Sequence, residues 1–263
     1  MNSTKRNAWV GWVLLTCVLL VAGGCAKLKA RDELRKGVNA YKEGKYPIAV
    51  ENFKNAIELD PTLLNAKLYL ATTYANQYVP GSEAEDNVRL GEQAISEFQE
   101  VLRDDPNNMS SLSGIANLYF QMKRMDEAKD FYKKQIGMDP NNAPAYYMIG
   151  VINWTQTYQP RMVLKTRLKV KPDDPIKDEK ERLALAERNA PLIDEGMQAL
   201  NKAMELQEDN SDAMAYLNLL YREKADLANT PEEREENLKT ADTLIEKSLE
   251  IKKAKAAKPP TPS

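Results

Sequence analysis

The sequence predicts an all-α chain built as an array of antiparallel helix pairs. Three observations carry this. Asp-Pro steps stand at Asp60-Pro61, Asp105-Pro106 and Asp139-Pro140; the last two prolines are 34 residues apart and the first two 45, one such period plus 11. Small and aromatic residues recur between the steps at helical spacing, as in Ala49, Phe53 and Ala56. Glycine is scarce, 11 of 263 residues, about 4% against the usual ~7%. Phosphate-cradling loops and tight sheet turns therefore have little material.

Composition removes several kinds of chemistry. The chain has no His and 2 Cys, which excludes a His zinc ligand, a His-based triad and a proximal haem His. A formal net charge of -2 argues against a dedicated nucleic-acid binder.

Residues 1–24 read as a signal segment. Lys5 and Arg6 form a short positive region, and Ala8 to Ala22 is then apolar and uncharged. Fifteen residues suit a signal core and fall short of the ~20 that span a bilayer. The core ends in Ala22-Gly23-Gly24-Cys25, small residues that fit a narrow peptidase slot. This resembles the lipobox of bacterial lipoproteins, and the resemblance implies diacylglycerol and N-acyl chains on Cys25 after cleavage. Several acyl chains anchor stably where one is marginal. An ordinary cleaved signal or an uncleaved anchor is the other reading of the same residues. Ala26 and Lys27 follow the cysteine, and in that family a residue other than Asp there implies the outer membrane, facing the periplasm; secretion or an inner-membrane anchor is the alternative. Cleavage removes Lys5, Arg6 and Cys17, so the mature chain 25–263 carries a net charge of -4 and one cysteine. Residues 25–29 are expected to be a lipid-anchored linker.

From residue 30 the elements follow one plan. Repeats fall at 30–63, 64–108, 109–142, 143–210 and 211–253. The first carries Gly37, Ala49, Phe53, Ala56 and Pro61; the second Leu70, Ala71, Tyr74, Ala94, Phe98 and Pro106; the third Leu112, Ile115, Ala116, Tyr119, Ala128, Tyr132 and Pro140. The fourth opens on Tyr146, Ile149 and Gly150 and closes on Gly196, Leu200 and Ala203, with Glu208 where the proline stood; the fifth holds Leu217, Tyr221, Ala241 and Ile245. A 34-residue period with small positions in both helices and a closing proline resembles the tetratricopeptide repeat (TPR) family. The resemblance covers almost all of the mature chain and implies a right-handed superhelix of antiparallel helix pairs.

Each feature has a physical reason. Small residues let the two helices of a pair approach, and Phe53, Phe98 and Tyr132 fill the gap to the next pair. Asp-Pro ends the second helix, because proline disfavours the helical state of the residue before it. Each pair leaves an apolar face that its neighbour covers, and about three repeats are needed for stability. The 11 extra residues of the second and fifth repeats make about three helical turns, so a lengthened helix stays in phase. Ser82 with Glu85, and Thr230 with Glu233 behind Pro231, have capping-box spacing, placing helices at about 83–104 and 231–252. The fourth repeat is 34 residues too long. A long insertion that lengthens its first helix and loops back is expected, a degenerate sixth repeat being the alternative. Asp178 with Glu181 starts a short helix over roughly 179–189. The tail 254–263, rich in Lys and Pro, reads as disordered.

No catalytic residues, metal ligands or cofactor are expected beyond the covalent lipid on Cys25. There is no Walker loop, dinucleotide turn or Gly-x-Ser-x-Gly elbow. Acidic pairs such as Asp104/Asp105 and Asp173/Asp174 read as solvated faces. Binding is the better prospect. In TPR proteins the first helix of each pair lines the concave groove, and the resemblance carries Tyr41, Asn65, Asn117, Phe120, Tyr147, Trp154 and Arg222 onto it. Of the Lys and Asn pattern that grips a peptide carboxylate in chaperone-type members, Asn117 alone has a match. The groove instead reads as apolar-aromatic around Phe120, Tyr147 and Trp154, rings with large contact area at low entropy cost; the competing reading packs Trp154 on the insertion. Arg161, Lys165, Arg167, Lys169 and Lys171 form a basic run, either a solvated face or a contact for anionic headgroups or an acidic partner. The sequence thus reads as a membrane-tethered interaction scaffold of the cell envelope. Its expected partner is a peptide segment of an envelope protein, with no nucleic acid and no small-molecule substrate. It is similar to lipoproteins that help assemble outer-membrane proteins or pilus secretins; a glycan- or peptidoglycan-binding protein or regulator is the alternative.

Overall fold

The computed structural model describes residues 25–257. The segment expected to be a signal, 1–24, lies outside them, as does the end of the tail. The described residues form helices joined by turns: α1 over 25–42, α2 Tyr46–Leu59, α3 Leu64–Gln77, α4 Glu85–Asp104, α5 Met109–Gln121, α6 Met125–Met138, α7 Ala143–Arg167, α8 Glu179–Leu206, α9 Ser211–Leu227 and α10 Pro231–Ala256. They divide into two compact units, one ending at Met122 and the other starting at Lys123. In the first, α2 packs on α3, α3 on α4 and α4 on α5; in the second, α6 packs on α7, α7 on α8, α8 on α9 and α9 on α10.

Local chemistry sets most helix ends. Asp60, Asp105 and Asp139 stand just past α2, α4 and α6 in extended conformation. Each carboxylate accepts from the backbone N–H two residues on, at 3.1, 3.3 and 3.0 Å, so the Asp-Pro step becomes an Asx turn. Asn108, Asn142 and Asn210 then cap the next helices, each accepting an N–H at 3.0 Å. The last of these closes the fourth link, where Glu208 replaces proline. Thr230 caps α10 at 3.1 Å, and Glu233 reaches back to the Asn229 N–H at 2.9 Å.

Four expectations are corrected. Ser82 and Glu85 make no capping box: α4 starts at Glu85 without a side-chain cap, because Asn87 clamps the turn through Val79 and the Ser82 carbonyl. The short helix expected from Asp178 is the first part of a 28-residue α8 that continues through Pro191. The linker expected over 25–29 is helical, part of α1, and the tail expected to be disordered from 254 stays helical to Ala256.

Packing follows the small-residue plan. Ala49, Ala94, Ala128 and Ala241 are fully buried, and Phe53, Phe98, Tyr132 and Leu200 occupy the core beside them. Phe53 also stacks on Tyr69 of the next pair at 5.5 Å. Gly150 of α7 lies so close to α8 that a Cβ there would stand 2.3 Å from Leu200 Cγ. Gly150→Ala is expected to cost about 1–3 kcal/mol by overpacking, although alanine is the better helix former. Urea unfolding reads this, and a gain in stability refutes the close approach.

In the second unit Glu195 of α8 ties three helices. It accepts from Lys129 and Lys133 of α6 at 3.0 and 2.6 Å and from Asn153 of α7 at 3.0 Å. Burial alone raises its carboxyl, but these donors together outweigh burial and hold it at about 2.

Candidate binding groove

In the first unit α3 and α5 form the two walls of a groove of 540 Å3. Leu68, Thr72 and Ala75 come from α3, and Ser110, Ser113 and Asn117 from α5. These are side chains three and four apart, so each set falls on one helix face. Gly114 leaves room at the base: a Cβ there would meet the Phe98 ring at 2.6 Å. Tyr69, Phe98 and Leu118 supply the apolar floor, and Asn76 and Gln121 add amides. No charged residue lines the groove. Its chemistry is that of hydroxyls and amides above an aromatic floor, with the Thr72 hydroxyl donating to the Leu68 carbonyl at 2.8 Å and keeping its lone pairs as acceptors.

The expected site residues divide between the two units. Asn117 lines the groove. Tyr41 stands beside it: its hydroxyl accepts from Asn76 at 2.6 Å, and its ring meets Tyr69 edge-on at 6.0 Å. Asn65 is exposed and Phe120 half-buried, and neither lines the groove. In the second unit Tyr147 and Trp154 of α7 lean on Tyr216 of α9, at 5.7 and 5.4 Å, and Trp154 also meets Tyr158 at 5.1 Å. These rings are half-buried against the core of Ile193, Leu200 and Leu217. Burial first, then Tyr216 and Asp212, push the Tyr147 hydroxyl up to about 12, so it stays neutral. Of the three rings expected to line an aromatic groove, Tyr147 and Trp154 pack between α7 and α9 and stay half-buried, and Trp154 rests on the following pair, not on the insertion. Arg222 is committed to Asn218 at 2.9 Å and Asp242 at 2.6 Å.

The basic run is also corrected. Lys165 is 1% exposed; its ammonium meets Asp226 at 2.5 Å and donates to the Pro172 and Asp174 carbonyls at 2.6 and 3.0 Å. Arg161 meets Asp226 at 2.9 Å and Glu223 at 3.1 Å. Arg167 pairs with Glu181 at 2.5 Å. Three of the five cations thus bind the turn after α7, and the helices beside it, to each other. Lys169 and Lys171 remain exposed, and Lys169 closes α7 in left-handed backbone, at φ 56°, a position usually held by glycine.

Several participants were not read from the sequence. Tyr69, Asn76, Gln121 and Tyr216 are not among the groove positions carried over from the family. Glu223 and Asp226 of α9 are a further pair, and no local signal shows that α7 brings two cations to them. Among the described residues no group of three or more His, Cys, Asp or Glu is placed to hold a metal, and no helix is long and apolar enough to cross a membrane.

Fold and groove define an α-helical hairpin-repeat protein. A family model described as a tetratricopeptide repeat matches residues 91–149. Interferon-induced protein with tetratricopeptide repeats 2 of Cricetulus griseus is 25% identical over 174 residues, 66% of this chain and 31% of that protein. Hsp70-Hsp90 organizing protein 3 of Arabidopsis thaliana is 29% identical over 115 residues, 43% of this chain and 18% of that protein. The chain thus spans under a third of the length of these relatives. A crystal structure of MamA protein aligns over 89% of this chain and 98% of its own, with a TM-score of 0.59 at 18% identity. MamA 41-end from Desulfovibrio magneticus RS-1 aligns over 87% and 98%, also at 0.59, with 16% identity. Residues 91–149 thus match the tetratricopeptide repeat family, and the helical architecture is of the tetratricopeptide-repeat type.

Proposed function

We propose that this chain is a membrane-tethered interaction scaffold of the bacterial cell envelope, anchored by lipid on Cys25. It offers the α3–α5 groove to a peptide segment of an envelope protein and aids assembly of an outer-membrane or pilus/secretin complex. The observation that carries the peptide reading is the uncharged lining of hydroxyls and amides, which suits the alternating donors and acceptors of a peptide backbone. A tether raises local concentration, so modest affinity suffices. The glycan reading is less well served, because Tyr69 spends one ring face on Phe53 and meets Tyr41 edge-on, leaving little aromatic surface to stack on a sugar.

Ser113→Trp puts a ring into the groove and is expected to reduce recovery of crosslinked partners from bacterial membranes at least tenfold, whereas exposed Lys169→Ala recovers them as wild type does. Equal recovery by folded Ser113→Trp protein refutes the groove. Peptidoglycan fragments bound by wild type and lost in Ser113→Trp, with no protein partner recovered, turn the reading to glycan.

A further inference from the structure

The surface around Cys25 has an organisation that the anchor alone does not require. Cys25 is exposed and already lies in α1, so no flexible segment separates it from the repeats. At 100° per residue, Cys25, Leu28, Arg31 and Arg35 share roughly a third of the helix circumference. The opposite face, with Ala30, Gly37 and Ala40, is buried. Leu28, one turn from Cys25, is 71% exposed, and Lys27 and Lys29 flank it, both exposed. Arg35 is paired with Asp32 at 2.7 Å, and Lys36 with Asp32 and Glu33 at 3.0 and 2.8 Å. Lys27, Lys29 and Arg31 form no ion pair among the described residues. Asp60 feels Lys27 and Arg31 only weakly: its carboxyl is lowered first by the Thr62 hydroxyl. Three uncompensated cations and one exposed leucine thus surround the residue that would carry the lipid.

We propose that this outward face of α1 lies on an anionic lipid layer, with Leu28 at the boundary of headgroups and acyl chains and Lys27, Lys29 and Arg31 on lipid phosphates. The inference rests on the anchored reading, which brings the face to the bilayer. Long basic side chains beside an apolar one suit that interface. Each cation near an anionic surface strengthens contact about fivefold, so three give roughly a hundredfold between anionic and neutral bilayers. High salt screens the effect.

The test uses the chain extracted from bacterial membranes with Leu28→Cys carrying a nitrobenzoxadiazole dye. It is reconstituted in vesicles of phosphatidylcholine, alone or with phosphatidylglycerol. The number of dyes per chain reads the anchor separately: one if the signal is removed and Cys25 acylated, more if Cys25 is free. Blue-shifted, brighter emission on the phosphatidylglycerol vesicles is expected, lost in high salt and in K27E/K29E/R31E and kept in K27R/K29R. One dye per chain with equal emission on both vesicles overturns the lipid face and leaves the anchor. Extra dyes with lipid-dependent emission overturn the anchor and leave the face. Extra dyes with equal emission overturn both. Should the triple variant not fold, the comparison of vesicles and salt decides alone.

Discussion

Asp226→Ala is expected to lose about 3–5 kcal/mol of unfolding free energy, because it strips the counter-charge from buried Lys165 and from the largely buried Arg161. Lys165 Nζ and Arg161 both bond Asp226 Oδ2, at 2.5 and 2.9 Å, and the Asp226 side chain is 4% exposed. The three groups also hold the turn after α7, since Lys165 donates to the Pro172 and Asp174 carbonyls. The effect therefore includes loosening of 168–178 as well as lost charge compensation. Asp242→Ala is the control: it removes a partner of Arg222 whose side chains are 63% and 36% exposed, and such pairs contribute about 0–1 kcal/mol. Urea midpoints at unchanged slope measure both. Equal losses in the two variants mean that the α7–α9 pairing carries no special weight.

The neighbouring carboxylate is expected to behave oppositely. Glu223 is 1% exposed, and burial pushes its carboxyl from 4.5 up to about 7, with Asp226 adding to the rise and Arg161 and Lys165 opposing it. Geometry explains why the cations do not win. Arg161 Nε is 3.1 Å from Glu223 Oε1, yet neither atom makes a hydrogen bond. The attraction is Coulombic without alignment, whereas Asp226 receives aimed donors. An acid whose folded pKa is raised binds its proton more tightly in the fold. Below pH 4.5 it is neutral in both states and costs nothing. Between 4.5 and 7 the fold progressively loses that advantage, and above 7 it carries the whole penalty of a buried charge, about 3 kcal/mol. Glu223→Gln fixes the neutral form. It is expected to match wild type near pH 4.5 and exceed it by up to about 3 kcal/mol at pH 8. A difference between the two proteins that does not change with pH refutes the account.

The two carboxylates stand three residues apart on one helix, and nothing local distinguishes them. What was legible in the sequence was what depends on near neighbours. The repeats were legible because Asp-Pro steps act on the residues beside them. The small positions of the core were legible because their spacing is that of a helix face. The groove position Asn117 came from the resemblance to the tetratricopeptide repeat family, and the structure places it on the α5 wall. The failures are long-range. Arg161 and Lys165 looked like a solvated run until α9, some sixty residues on, supplied Glu223 and Asp226. Trp154 and Tyr147 looked like a binding surface, and Tyr216 of α9, about sixty residues on, engages both. Even the α4 start was misread, because Asn87 turns back to Val79 in place of a cap.

The sequence by itself thus determined that this is an all-α repeat chain, where most helices end, and which faces are apolar. Those properties are set by backbone sterics and by hydrogen bonds between residues a turn apart. Only the tertiary structure decided which charges are buried, which rings are spent on the core, and which groove remains open and uncharged. A side chain's chemistry depends on the water it keeps, and that water is removed by helices whose place in the chain is far away.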